Sequence, residues 1–453
     1  MIQKSNKFAL FSLIIRSFNF YNTNHNLFIN IFMNKKLNSF EIIGGNKLFG
    51  EIKNQTSKNA TLPILSASVL CDGFVKILDV PNIIDVENMI KILKKIGVKV
   101  RKSGADLSIN PQVANNPQID CELSKTMRSS LFLLGSMLSK FGEIDLTLPG
   151  GCKIGKRPID LHIKALKRLG VEVENYDDHV FFKVKKAKPN RIKLKIPSVG
   201  ATENIIQFAC KLKGKTTIIN AAKEPEVVDL CNFLNQMGAK ILGAGTNKIT
   251  IYGVNRLTST TYRPIGDRIV SGTIMTAVAL IGGDVTITNA VPYQNLKLIK
   301  ILTQLGCQID FKNDIIHIVK DKELHSIKKI STGFYPDFPT DMQSMMLSLS
   351  SVVDGETLIE ENVFENRFLT IPEIKKLGAN VELINSKTAK VIGTNKLVGT
   401  TVEALDLRGG ASLVILGLKA RGKTIVENIH FVDRGYDHLE KMLNSLGALI
   451  RRV

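Results

Sequence analysis

The sequence predicts an α/β fold: six copies of one unit of about 70 residues, grouped as two lobes of three. Three observations carry this. Six short amphipathic helices end at a glycine that an alternating strand follows at once: "KILKKIGVKV", "KALKRLGVEV", "NFLNQMGAKI", "KILTQLGCQI", "PEIKKLGANV" and "KMLNSLGALI". In phase with them run six glycine-started strands: "GFVKILDV", "GEIDLTLP", "GKTTIINA", "GDVTITNA", "GETLIEEN" and "GKTIVENI". Before each of these lies a helix that is apolar all round, such as "ATLPILSASVL" or "SGTIMTAVALI".

Each element has a local reason. The stopping glycines are Gly97, Gly170, Gly238, Gly306, Gly378 and Gly447, separated by 73, 68, 68, 72 and 69 residues. Glycine ends a helix because it tolerates the left-handed backbone of the terminal turn. Period-two alternation after it marks a half-buried strand. Glycine followed by β-branched residues and a polar turn marks another. A helix apolar on every side needs burial on every side. The unit is therefore helix–strand–helix–strand–strand, or a rotation of it. Six such units exceed one core, whereas three per lobe make domains of ordinary size.

Composition narrows the function. With 44% hydrophobic and 23% charged residues in 453, the chain reads as globular. No run approaches the ~20 apolar residues a membrane span needs; "FALFSLII" is stopped by Arg16. The six cysteines form no CxxC pair, which predicts reduced thiols in a cytoplasmic compartment. The histidines are scattered, so no metal site is expected. A net charge of +20 invites nucleic acid, but the cations are spread out and aromatics are only 6%. An anionic small substrate accounts for local positive charge equally well. Residues 1–40 contain no Asp or Glu and five Lys or Arg. They read as an organelle transit segment or as sequence upstream of the true start; Met33 is the expected start.

The chemistry-bearing residues sit just before the apolar helices: "SKN" (57–59), "KTMR" (125–128), "SVGATEN" (198–204), "GDR" (266–268), "PTDMQ" (339–343) and "DLRGG" (406–410). A helix start offers unpaired N–H groups and attracts anions. Capping alone explains "SVGATEN"; the cations in "SKN", "KTMR" and "DLRGG" point to anion binding. Asp341 has a capping role open to it, at a helix beginning at Met342. In "LPGGCKIGKRP" (148–158), glycines give mobility and cations favour a thiolate at Cys152, which reads as a reactive thiol rather than an inert one.

Taken together, "SKNA", "KTMRSS", "LPGGCKIGKRPIDLH", "SVGAT", "AAKEPEVVDL", "GDRIVSGT", "FPTDMQ", "FENRF", "DLRGGASL" and "DRGY" closely resemble the UDP-N-acetylglucosamine enolpyruvyl transferase family. The resemblance runs from about residue 38 to the end; 1–37 lie outside it. It implies an inside-out α/β barrel repeated in two lobes, one of residues 57–265 and one of 38–56 plus 266–453. The sister 5-enolpyruvylshikimate-3-phosphate synthases share the repeats but lack the Cys loop and "RPIDLH". The RNA 3′-terminal phosphate cyclases have fewer units and require ATP, and no GK[ST] loop is present here.

The resemblance implies transfer of the enolpyruvyl group of phosphoenolpyruvate to the sugar 3-hydroxyl, with release of phosphate, through a tetrahedral intermediate. That step opens peptidoglycan precursor synthesis and serves cell shape and division. Lys58, Asn59, Arg157 and Arg434 are implied as phosphoenolpyruvate ligands, with Arg367 and Arg408 on its carboxylate, where the planar fork of arginine pairs two oxygens. Cys152 matches the proton donor, able to bond phosphoenolpyruvate covalently and to be alkylated by fosfomycin. Asp341 matches the residue at the sugar 3-hydroxyl and the base; Asp406 is the alternative proton carrier. Arg128, Arg157, Pro158, Ile159, Asp160, Leu161, Ser198, Val199, Gly200, Asp341 and Val363 match sugar-nucleotide contacts. Where the family often has a lysine two residues before "SVG", this chain has Ile196-Pro197, with Lys195 one position earlier. The resemblance implies no cofactor and no metal. Its partners are the two small substrates, without nucleic acid, membrane or an obligatory protein partner.

Overall fold

The structure, a computed structural model, describes residues 38–119, 131–147, 159–177 and 179–453. The repeat unit forms as its local signals require. In the fourth copy, helix Arg268–Ile281 leads to strand Gly283–Thr288, helix Leu296–Leu305 and the strands Gln308–Lys312 and Ile315–Lys320. Those last two form an antiparallel hairpin whose second strand pairs antiparallel with Gly283–Thr288. All six stopping glycines have left-handed backbone, with φ of +93°, +92°, +101°, +117°, +95° and +102° for Gly97, Gly170, Gly238, Gly306, Gly378 and Gly447. At these positions a side chain would clash with its own backbone, which is why glycine recurs there.

Six sheets result among the described residues, one per repeat. The apolar helices lie inside them. Lys58–Ala67 and Val199–Ala209 both pack on Leu133–Phe141; Arg268–Ile281, Gln343–Ser350 and Leu407–Gly417 pack on one another. Every residue of Arg268–Ile281 and of Gln343–Ser350 is buried. Each large apolar side chain so buried contributes about 1.5–3 kcal/mol. Several polar residues inside are paired: Ser66 donates to Gln207 Oε1 at 2.7 Å and lies 2.9 Å from Ser136 Oγ, linking three inner helices. Helices inside and sheets outside make this an inside-out α/β fold.

Buried apolar side chains form two separate clusters. One draws on residues between Ala60 and Leu257; the other on Phe40 to Ile52 and on Ile269 to Ile450. The N-terminal strands explain the second. Ser39–Ile43 runs antiparallel between Lys423–Glu427 and Leu449–Arg452, completing the sixth copy, which lacks a second hairpin strand of its own. Leu48–Lys53 lies parallel beside Gly283–Thr288.

Two features differ from the sequence reading. Short parallel strands, Arg191–Lys193, Thr260–Tyr262, Lys329–Gly333 and Thr401–Glu403, flank the glycine-started strands of four copies. The helix expected at Met342 starts at Gln343, after a 3-10 turn Thr340–Met342, and Asp341 caps neither element. Its carboxylate is turned to arginines instead. Among the described residues no helix is long and apolar enough to cross a membrane.

Candidate active site

Helix starts from both clusters meet at one place. Asp267 caps Arg268–Ile281 through Oδ1, which accepts from Ile269 N at 2.9 Å and Val270 N at 3.1 Å. Its Oδ2 accepts from Lys58 N at 3.1 Å, at the start of helix Lys58–Ala67. One buried carboxylate thus joins two helix starts 209 residues apart. Asp406 caps Leu407–Gly417 in the same way, accepting from Arg408 N and Gly409 N. A cap of this kind is worth roughly 1 kcal/mol.

Around these starts the cations are arranged in two pairs, each sharing a carboxylate. Asp85 Oδ2 lies 2.8 Å from Lys58 Nζ, and Asp85 receives Arg434 through Nε at 2.9 Å and Nη2 at 3.4 Å. Asp341 Oδ1 accepts from Arg367 Nη2 at 2.7 Å and lies 3.7 Å from Arg408 Nε. Burial alone would raise the pKa of Asp341, but Arg408, Arg367, Arg268 and Lys58 outweigh it and hold the carboxyl well below the ordinary range. For Asp85, burial is likewise overridden by Lys58 and Arg434, and its pKa is lowered. Both groups are ionised at neutral pH.

The arginines are braced from behind. Arg367 Nε donates to Thr340 Oγ1 at 3.2 Å, and Thr340 donates to Glu361 Oε2 at 2.9 Å. Glu361 Oε1 accepts from Val363 N and Phe364 N, at 2.8 and 2.9 Å. Arg367, Arg408 and Arg268 lie over the rings of Phe364, Tyr436 and Tyr335. Arg268 also reaches Glu226 through Nε at 2.9 Å. Arg408 Nε and Nη1 and Asp406 Oδ2 hydrogen-bond to no group among the described residues. They are buried donors and an acceptor with capacity left for a ligand.

The second group of expected residues gathers beside His162. Ser198 caps helix Val199–Ala209 by accepting from Ala201 N. Gly200 lies against His162, where a Cβ would come within 3.2 Å of the imidazole. The ring meets Asn204 Nδ2 at 3.1 Å, and Asn204 also holds Gly200 O at 3.1 Å. The turn 198–200 and the helix beginning at Asp160 are therefore fixed together. Ile159 and Leu161 pack on the core, while Asp160 pairs with Lys164 at 3.1 Å on the surface. Lys195 is exposed and Asn59 is half-buried at its helix start. Cys152, Arg128, Arg157 and Pro158, with the motifs "KTMR" and "LPGGCKIGKRP", lie outside the described residues.

Sequence reasoning missed Asp85, Glu226 and Glu361, and placed Arg268 in the motif "GDR" without giving it a role. Asp85 carried a signal: an acid between the apolar residues of "IIDV", at a helix start. Glu361, two residues before Val363, carried none.

Similarity to known proteins agrees with this geometry. Residues 42–443 match the family model described as EPSP synthase (3-phosphoshikimate 1-carboxyvinyltransferase). The chain is 44% identical over 417 residues to UDP-N-acetylglucosamine 1-carboxyvinyltransferase 2 of Caldanaerobacter subterraneus, covering 92% of this chain and 100% of that one. It is equally similar to the UDP-N-acetylglucosamine 1-carboxyvinyltransferase of Halothermothrix orenii, with the same coverage. Among solved structures, the enolpyruvyl transferase NikO from Streptomyces tendae has a TM-score of 0.83 at 24% identity, over 91% of this chain and 98% of that one. EPSP synthase from Acinetobacter baumannii has a TM-score of 0.72 at 17% identity, over 91% and 99%. These two bear on the fold.

Proposed function

The chain belongs to the UDP-N-acetylglucosamine 1-carboxyvinyltransferase family of enolpyruvyl transferases, and from that membership we propose a reaction for this site. It transfers the enolpyruvyl group of phosphoenolpyruvate to the 3-hydroxyl of UDP-N-acetylglucosamine. The observation that carries this reading is the pair of cation seats, Lys58–Arg434 and Arg367–Arg408, each enclosing a carboxylate. Phosphoenolpyruvate is a small molecule with two anionic ends, and the two seats suit its phosphate and its carboxylate.

Lys58, Asn59, Arg434 and Arg157 take the phosphate; Arg367 and Arg408 take the carboxylate. Asp341 then loses its hold on the arginines it now pairs with, because the incoming carboxylate shares them. Its carboxyl becomes more basic and accepts the sugar hydroxyl proton. The hydroxyl oxygen bonds to C2 of phosphoenolpyruvate while Cys152 gives a proton to C3. The intermediate then loses a proton from C3 and phosphate from C2. Asp406 is the alternative proton carrier. Arg128, residues 157–161, the turn 198–200 and Val363 hold the sugar nucleotide. No cofactor enters, since addition followed by elimination leaves the oxidation state unchanged. The two clusters act as lobes of residues 57–265 and 38–56 plus 266–453. The setting is cytoplasmic, in peptidoglycan synthesis and thereby cell shape and division, and fosfomycin alkylates Cys152.

The test is phosphate release from phosphoenolpyruvate with either UDP-N-acetylglucosamine or shikimate 3-phosphate as acceptor. Release with the sugar nucleotide alone supports the reading; release with shikimate 3-phosphate alone overturns it.

A further inference from the structure

Five of the six sheets set a carboxylate beside a basic side chain of a neighbouring strand on the solvent face. The pairs are Glu41–Arg451, Lys76–Asp106, Lys183–Glu143, His317–Asp284 and Lys390–Glu382. Such pairs stabilise a sheet modestly. The sixth sheet, of Lys240–Leu242, Lys248–Gly253, Gly214–Ile219 and Arg191–Lys193, is built differently. Its inward residues Ile241, Ile249, Ile251, Thr216, Ile218 and Ile192 are buried. The register then places Lys240, Tyr252 and Lys215 in one outward row. Leu242, Thr250, Thr217 and Arg191 form the next, and Lys248, Ile219 and Lys193 the third. The face has five cations and no carboxylate, and none of the five makes an ion pair among the described residues.

We propose that this face is a docking surface for an anionic phospholipid bilayer. The cations never stand opposite one another on neighbouring strands; a residue without charge separates them, so the charge is spread across the sheet. Spread positive charge without carboxylates complements an anionic bilayer surface, where each basic residue contributes additively. Leu242 at 62% and Tyr252 at 40% exposure lie among the lysines. This mixture suits the headgroup boundary, which takes up aromatic and aliphatic groups beside lysine. Single-stranded nucleic acid fits less well. It needs aromatic faces for base stacking, and the one aromatic ring here has Lys215 Nζ over it, 5.8 Å from its centroid. The association is peripheral and departs from the sequence expectation of no membrane partner. It is independent of the reaction proposed above.

The experiment is co-sedimentation of the purified protein with phosphatidylcholine vesicles, with and without phosphatidylserine. It is run at low and at physiological salt, on the wild type and on the triple variant Lys215→Gln, Lys240→Gln, Lys248→Gln. The expected result is binding only to the anionic vesicles, weakened by salt, and about 100-fold weaker in the variant. The variant keeps its melting temperature and its phosphate-release activity, since none of the three residues belongs to the site. Equal binding of variant and wild type, or no binding of wild type to anionic vesicles at low salt, overturns the proposal. So does tighter, lysine-dependent binding of single-stranded RNA than of vesicles, which would make the face a nucleic-acid surface.

Discussion

Asp341 Oδ1 and Arg367 Nη2 meet at 2.7 Å, in a position where the carboxylate of Asp341 occupies the guanidinium expected to hold a substrate's carboxylate. Asp85 stands in the same relation to Lys58 and Arg434. The site therefore carries its own counter-ions, and ligand binding exchanges one carboxylate for another rather than filling a bare cluster of charge.

Replacing Asp341 by asparagine removes the proposed base and keeps the shape. Turnover should fall by about 10²–10⁴-fold. Affinity for phosphoenolpyruvate should hold or improve, because Arg367 and Arg408 no longer have an internal competitor. Steady-state kinetics separates the two effects; a large rise in KM at unchanged kcat would count against this role.

Asp85→Asn leaves two cations facing each other without their shared anion. Unpairing a buried ion pair costs about 3 kcal/mol, so the melting temperature should drop. Inorganic phosphate should restore more stability to this variant than to the wild type. Thermal unfolding with and without phosphate reads this directly, and an equal effect on both proteins would argue that the anion binds elsewhere.

The same residue sets a pH dependence. The folded pKa of Asp85 is lowered, so its contribution is fully present above the unfolded value of about 3.9. It disappears as pH falls through the lower folded value. The stability difference between wild type and Asp85→Asn should be constant from pH 7 to about 5 and shrink below about 4. Denaturant titrations across that range would expose the opposite trend, a difference that grows on acidification.

Cysteine labelling should be selective. Cys71, Cys210, Cys231 and Cys307 are buried, and burial pushes the last three thiols up to about 12. None should react with iodoacetamide at neutral pH in the native protein. Fosfomycin with the sugar nucleotide should modify Cys152. Peptide mapping after each treatment shows which thiols carry the label.

The stopping glycines differ in how much they tolerate. At Gly238 an added Cβ meets nothing within 4 Å, so Gly238→Ala bears only the left-handed strain, about 1–2 kcal/mol. At Gly170 the Cβ would sit 1.9 Å from Lys186 O. Gly170→Ala should therefore melt well below Gly238→Ala, or fail to fold.

Much of this was legible from spacing alone. The six glycines and six apolar helices gave the unit, because helix stops and all-round burial depend on residues close in sequence. The short strands Arg191–Lys193 and Thr401–Glu403 left no pattern, since three residues cannot show a period and their pairing is with distant strands. The site divided along the same line. Lys58, Arg367, Arg408 and Asp341 stood in motifs. Asp85 and Glu226 act through partners distant in sequence, among them Arg434 and Arg268, 349 and 42 residues away. Asp341 looked like a cap because its local sequence fits one; two arginines from other segments redirect it.

On the proposed reaction, this site passes an enolpyruvyl group to a sugar nucleotide. One mass spectrum tests it most directly: phosphoenolpyruvate, UDP-N-acetylglucosamine and shikimate 3-phosphate are incubated together with the protein. Only the sugar nucleotide should gain the mass of one enolpyruvyl group, with one phosphate released for each. A heavier shikimate product, or no heavier product from either acceptor, would contradict it.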